Sequence, residues 1–329
     1  MVRVDGTGTD RFDTGRFDVD RFDTGRFEAG RNRLASLAYR LLGSATDAED
    51  AVQDAFLHWQ AADRQRIEVP EAWLTKVVTH LCLDRLRSAH ARRERAAGAW
   101  LPEPLLEGDP MLGPADTFEQ RESVSLAVLT LMERLSPVER AVYVLREAFS
   151  YGHAEIAGIL GISESASQQH LHRARRRVTA ARRGGEADPA AARRIVEEFL
   201  AAASSGRTER LVALLTDDAT AISDGAGLTA KLLRFDTPER IAAVARAGFK
   251  STPAKQRLAG GVSTVHYALV NGAPALLFVP GDRIVGAVTF DLADGRIATV
   301  RGIAAPARLV RLAEAWRRQG PDTPLLAGW

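Results

Sequence analysis

The sequence predicts a multidomain protein: two all-α units, the second carrying a helix-turn-helix, followed by an α+β domain. Three observations predict it. Apolar residues recur at helical spacing through residues 30–95 and again through 118–183. Between these stretches lies a segment rich in proline and acid, a linker by composition. Beyond Gly184-Gly185 the pattern changes to two helical stretches and then short strand-like runs separated by turn dipeptides. At 329 residues the chain is also too long for one ordinary domain.

Residues 11–30 read RFDTG-RFDVD-RFDTG-RFEAG, a five-residue repeat opened each time by Arg and Phe. Five residues advance a helix by about 500°, so the Phe side chains build no stripe. An odd period also alternates them across a strand. With its Gly and Asp content, residues 1–29 are expected to be a disordered tail.

In RNRLASLAYRLLG, Leu34, Leu37, Ala38, Leu41 and Leu42 form an apolar stripe that Gly43 ends. Next, Thr46 and Glu49 have capping-box spacing ahead of the stripe Ala48, Ala51, Val52, Ala55, Phe56 and Trp59. Pro70 opens a third helix with Leu74, Val77, Val78 and Leu81 on its apolar face. Trp73, Lys76, His80, Asp84 and Arg87 fall on another face of it. The first bundle is bounded at 30–96 and the linker at 97–117. Residues 100–117 hold four prolines and four acids, and no base.

In the second unit (118–184), Ser136-Pro137-Val138-Glu139 is another capping box. A short helix over His153–Leu160, the turn Gly161-Ile162 and a second helix capped by Ser163 match a helix-turn-helix. Ala157 stands where the two helices pack closely, with Ile156 and Ile162 in the core. Such a motif places its second helix in the major groove. Ser165, Gln168, Gln169 and His172 are then the candidates for base edges. Arg173, Arg175, Arg176 and Arg177 are candidates for phosphates. The third domain, 188–315, has strand-like runs LTAKLLRF, VSTVHYALV, PALLFVP and RIVGAVTFDL, read as an antiparallel sheet. Residues 316–329 are read as a tail.

The net charge of +2 conceals segregation. Asp47–Glu71 carries seven acids and two bases, net −5; Lys76–Arg95 carries six bases and two acids, net +4. Ser165–Gly185 carries six arginines and no acid. Two cationic patches on separate helical units suit phosphate contacts at two places. One cysteine, Cys82, rules out a disulfide framework and fits a reducing cytosol. No apolar run is long enough to span a bilayer, and no signal peptide is visible. The expectation is a cytoplasmic protein with no membrane partner, metal or cofactor.

A helix-turn-helix alone leaves a repressor equally open. Over residues 26–180, however, the chain resembles the extracytoplasmic-function group of bacterial sigma factors. The resemblance is carried by RLASLAYRLLGSATDAEDAVQDAFLHW, by WLTKVVTHLCLDRLRSAHARR, and by LSPVERAVYVLRE with the helix-turn-helix. It implies that the two helical units are sigma regions 2 and 4, and that the partners are core RNA polymerase and promoter DNA. Asp47, Glu49, Asp50, Gln53 and Phe56 would grip the polymerase clamp. Trp73, Lys76, His80, Arg85, Arg87, Arg92 and Arg93 would handle the −10 element, where bases unstack onto rings and bases are flanked by cations. The helix-turn-helix would read the −35 element, though Gln168 replaces a basic residue common in that family.

The remainder looks like a SnoaL-like α+β cone, from the opening FLAAASSGRTERLVALLTDDATAISDG. The combination resembles a sigma-J-like subgroup, whose linker signature matches WLPEPL. Its Asp-Gly-Gly-Gly-Lys loop survives in part, as Asp224, Gly225 and Gly227, with Ala226 and Leu228 replacing a glycine and the lysine. Its Asn-Pro-Asp-Lys-Leu appears only as Ala305-Pro306-Ala307-Arg308-Leu309. The resemblance implies that Trp100, Leu101 and Leu105 dock near Asp224–Gly227, and that the C-terminal domain regulates the sigma units in cis. Such cones often enclose a pocket that takes a small-molecule ligand, with Asp224, His266 and Asp291 as available acid–base groups. The sequence points to a non-enzymatic role. A regulator that does not bind polymerase, and a cone-type enzyme or ligand sensor tethered to DNA, stand as the rival readings.

Overall fold

A computed structural model of the chain describes residues 27, 30–95, 101–113, 118–179, 188–228, 232–320 and 322–329. The repeat, apart from Phe27 and Gly30, and Trp100 therefore lie outside the described residues.

Helix α1 (residues 30–42) buries Leu34, Leu37, Ala38, Leu41 and Leu42. Helix α2 (Ala45–Ala61) starts at Ser44, whose hydroxyl accepts from the Asp47 N–H. The expected Thr46–Glu49 box is therefore not the cap: Ser44 is the last residue in extended conformation, the position from which a hydroxyl folds back onto the first turn. Helix α3 (Pro70–Arg95) opens on Pro70 and buries Leu74 and Val78. Helices α4 (Phe118–Glu122), α5 (Leu126–Met132) and α6 (Pro137–Glu147) follow. Ser136 and Glu139 cap α6 reciprocally. Helices α7 (His153–Leu160) and α8 (Glu164–Thr179) complete the helical part.

The two helical units share one apolar core, which runs from Leu37 and Trp59 through Val78 to Val142, Ile156 and Ala174. Each large side chain so buried contributes roughly 1.5–3 kcal/mol, so the units are held by more than their linker. Buried Arg40 of α1 reinforces the joint. It donates to Ser123 Oγ (2.9 Å), to Leu112 O (2.8 Å) and to Gln120 O (3.3 Å). Burial holds its guanidinium down at about 10.

The third domain opens with α9 (Pro189–Ser204) and α10 (Thr208–Leu214). Its strands are β1 (Leu215–Ser223), β2 (Leu233–Phe235), β3 (Ser263–Val270), β4 (Ala273–Pro280), β5 (Gly286–Ala293) and β6 (Arg296–Ile303). Helices α11 (Pro238–Phe249) and α12 (Pro253–Ala259) lie between β2 and β3, and α13 (Pro306–Gln319) follows β6. The sheet order is β2-β1-β6-β5-β4-β3. It is not wholly antiparallel as expected, because β1 and β6 pair in parallel. Among the described residues of LTAKLLRF, the strand is Leu233–Phe235. Helix α13 runs across the boundary expected at 315, and Trp329 and Leu326 bond back to Ser263 and Val265 on the edge strand β3.

One face of the sheet carries Phe278 and Phe290, with Phe199 and Phe249 in edge-on contact at 5.1–5.7 Å. Trp329 packs on Phe278 at 4.7 Å. Aromatic rings thus fill this face of the sheet, packed against α9 and α11. The other face carries Leu277, Val279 and Ile303, and shares a cluster with Leu309, Leu312 and Trp316 of α13 and with Leu101, Leu106 and Leu126. Among the described residues, no helix is long and apolar enough to cross a membrane and no group of side chains is arranged to hold a metal.

Candidate nucleic-acid interface

Between α7 and α8 the chain turns at Gly161, whose φ of 67° is the left-handed conformation that glycine adopts without strain. Ser163 Oγ accepts from the Ala166 N–H at 3.1 Å and starts α8. Ile156 is fully buried under the turn, and His153 Nδ1 lies 2.9 Å from Ser167 Oγ, tying the starts of the two helices together. On α8, Ser165, Gln168, Gln169, His172, Arg173, Arg175 and Arg176 are all exposed. Ser165, Gln168 or Gln169, His172 and Arg176 follow one another at helical spacing along one face.

Two of these arginines flank that face and are held by α6. Arg173 pairs with Glu139 at 2.9 Å, as Arg177 does at 2.6 Å, and Arg175 pairs with Glu147 at 2.7 Å. Burial alone would raise the Glu139 carboxyl. Bonds from the Ser136 backbone and from Arg173, with the Arg177 charge, outweigh it and hold the carboxyl below its usual range.

Among the described residues, the −10 candidates on α3 do not form one cluster. Trp73 is half-buried against Trp59, ring centroids 5.7 Å apart. It lines an open groove of about 570 Å³ with Ala62, Asp63, Arg66, Ile67, Glu68 and Val69. Lys76, one turn on, is exposed. His80 points elsewhere: its Nε2 lies 2.8 Å from the Ile159 carbonyl of α7. Arg85 turns to α2, pairing with Asp54 (2.7 Å) and donating to the Asp47 carbonyl (2.6 Å). Arg87 pairs with Asp84 on its own helix at 3.0 Å. The side chains of Arg92 and Arg93 lie outside the description.

On α2, Asp47, Glu49, Asp50 and Gln53 are exposed. Phe56 is half-buried and packs on Phe27 at 4.7 Å. Glu49 is ion-paired with Arg311 of α13, which also binds the buried Asp109 at 2.7 Å. Burial would lower the Arg311 charge, but the hydrogen bonds and charges of Asp109 and Glu49 raise it instead.

The segment 101–113 ties all parts together. Leu101 and Leu105 are buried. Glu103 accepts from Ser44 Oγ (2.7 Å) and from the Ala45 and Thr46 N–H groups (3.0 and 3.3 Å), so the linker caps α2. Asn271, at the β3–β4 turn with φ of 51°, is the hub. Its Oδ1 accepts from Leu105 N–H at 2.8 Å, and its Nδ2 donates to Tyr39 Oη (2.8 Å) and to Val124 O (2.7 Å). A strand-like bridge pairs Leu106 with Val270. Asp224 accepts from the Ala226, Ala304 and Ala305 N–H groups, each at 3.0 Å, and so fastens its own loop to the end of β6. Gly225 and Gly227 are in that loop with positive φ. The sequence marks Asn271 only as half of an Asn-Gly turn, and nothing local marks Arg311 or Asp109.

The acid–base candidates of the third domain are apart and individually engaged. Asp224 caps its loop, Asp291 pairs with Arg301 at 2.6 Å, and His266 packs on Trp316 with Nε2 2.8 Å from Thr264 Oγ1.

Comparison with known proteins gives these surfaces a context. Residues 26–93 match the family model for sigma-70 region 2, and residues 125–178 match sigma-70 region 4. The chain is 46% identical over 149 residues to the ECF RNA polymerase sigma factor SigJ of Mycobacterium tuberculosis, a match covering 45% of this chain and 47% of that protein. It is 39% identical over 153 residues to the probable ECF sigma factor SigI of the same organism, covering 45% and 51%. These matches span about half the length of the curated relatives. The crystal structure of M. tuberculosis SigJ superposes with a TM-score of 0.64 at 30% identity, covering 88% of this chain and 98% of that one. With both sigma regions matched and nearly all of that solved structure spanned, the chain belongs to the extracytoplasmic-function RNA polymerase sigma factors, in the form that carries a C-terminal α+β domain.

Proposed function

We propose that this chain binds core RNA polymerase and directs promoter recognition and transcription initiation, and that its C-terminal domain regulates it in cis. On this reading α2 meets the polymerase through Asp47, Glu49, Asp50 and Gln53. The groove beside Trp73 takes an unstacked −10 base, with Lys76 on the backbone. The outer face of α8 reads the −35 element, and Arg173, Arg175 and Arg176 hold phosphates.

One observation carries the regulatory part: α3 lies directly on α7, His80 bonded to the Ile159 carbonyl. Packed helices sit about 8–10 Å apart. Elements named −10 and −35 are separated by roughly 25 base pairs, about 85 Å of duplex at 3.4 Å per pair. The two surfaces therefore have to part before both engage one promoter, and the arrangement described here is a closed one. The contacts of Asn271 and Arg311 with the linker and with α1 and α2 support the C-terminal domain as its clamp. Run-off transcription with core polymerase, comparing the full chain with one ending at Arg183, tests this. The truncated chain should initiate at altered efficiency; equal activity would remove the regulatory role.

A further inference from the structure

Phe27 is the Phe of the fourth Arg-Phe unit, and it is not solvent-exposed: 3% of its surface is accessible, with its ring on Phe56. Beside it is a cavity of about 420 Å³ with apolar walls from Phe27, Leu34, Trp59, Val69, Pro70 and Leu74. The indole Nε1 of Trp59 is buried without a hydrogen-bond partner. Glu68 and Glu71 stand at the rim, both exposed and neither with an ion-pair partner among the described residues. The Arg33 head, also nearby, is directed to Thr75 and Tyr151 instead.

An apolar cavity with two unpaired carboxylates at its mouth is complementary to an aromatic side chain that carries a cation next to it. Apolar cavities of about 150 Å³ already take up a benzene ring. The sequence repeats that chemistry immediately upstream: Arg21-Phe22 precedes Phe27 by five residues, a reach of about 17 Å for extended chain. We propose that the pentapeptide repeat is an intramolecular ligand of the first helical unit: Phe27 is one seated copy, and the cavity beside it receives Phe22, with Arg21 on Glu68 and Glu71. Tethering makes the effective concentration high, so a weak single site suffices. Glu68 and Val69 also line the groove beside Trp73, so a seated repeat braces one wall of that groove.

The test places the photoreactive p-benzoylphenylalanine at position 22 in the full chain, irradiates it and maps the adducts by mass spectrometry. Adducts within residues 59–74 of the same chain are expected. Arg21→Ala, and the pair Glu68→Lys with Glu71→Lys, should each lower their yield several-fold. Glu71 lies in the first turn of α3, where an acid favours the helix, so Glu68→Lys alone repeats the test outside the helix. Adducts elsewhere, adducts joining two copies, no adducts, or an unchanged yield in the charge-reversed chains would each overturn the proposal.

Discussion

On α8, the glutamines and His172 project outward while Glu139 and Glu147 of α6 hold the flanking arginines at its sides. On α3, by contrast, His80 is bonded to α7 and Arg85 to α2, leaving Trp73 at its groove and Lys76 exposed one turn on. Both helices are cationic and both end a helical unit, yet only α8 displays its polar residues together. The difference shows that net charge locates a nucleic-acid surface without saying whether it is available. In this chain, availability is set by packing, within a unit at Arg85 and between units at His80.

The largest effect is expected where the packing is clamped. Asn271→Gly keeps a residue at ease with positive φ but removes three side-chain hydrogen bonds, leaving Val124 O and the Leu105 N–H buried and unmatched. A loss of about 3 kcal/mol is expected, and urea unfolding with proteolysis of the 101–113 segment would measure it. A variant as stable and as resistant as the parent would show that Asn271 is not the clamp.

Charge reversal on α2 comes next. Asp47→Lys with Asp50→Lys should weaken core-polymerase binding strongly at little cost in helix content, since exposed charges contribute little to stability and the first-turn Asp47 adds only about 0.3–1 kcal/mol. Full affinity in a pull-down would break the assignment of that face.

The contrast between the helices is sharpened by one substitution on each. Trp73→Ala should impair strand opening, seen as reduced permanganate reactivity at −10, more than it impairs duplex binding. Arg176→Ala should lower promoter affinity and reduce the salt slope by about one. Matching phenotypes would erase the distinction drawn here.

The smallest effect concerns the bracing of α8. The Glu139 carboxyl is held below its usual range, so the stability it supplies is present above the unfolded value and lost as pH falls through the folded one. Glu139→Gln should cost about 1 kcal/mol at neutral pH and flatten the acid side of the stability profile. An unchanged profile would show that the carboxyl carries none of it.

The contrast also marks what the sequence could show. The helix-turn-helix was legible because everything it needs is local: the Ser163 cap, the Gly161 turn and apolar spacing within 30 residues. The cap of α2 was misread by two residues because Ser44 and Thr46 offer the same hydroxyl and only backbone conformation chooses between them. The joint was not legible. Asn271 meets Tyr39 across 232 positions and Arg311 meets Glu49 across 262, and single polar residues at such separations leave no periodic trace. The parallel pairing of β1 with β6 was hidden similarly, since strand patterns carry no direction.

The central claim is that α3 is held on α7, against which α8 packs, so that α3 and α8 are near one another in the free chain and part when it works. Spin labels at Lys76 and Gln169, both exposed, report that distance directly. The free chain should give one short distance, and the complex with core polymerase and promoter should give one well beyond the span of two packed helices. The same short distance in both states would contradict the account.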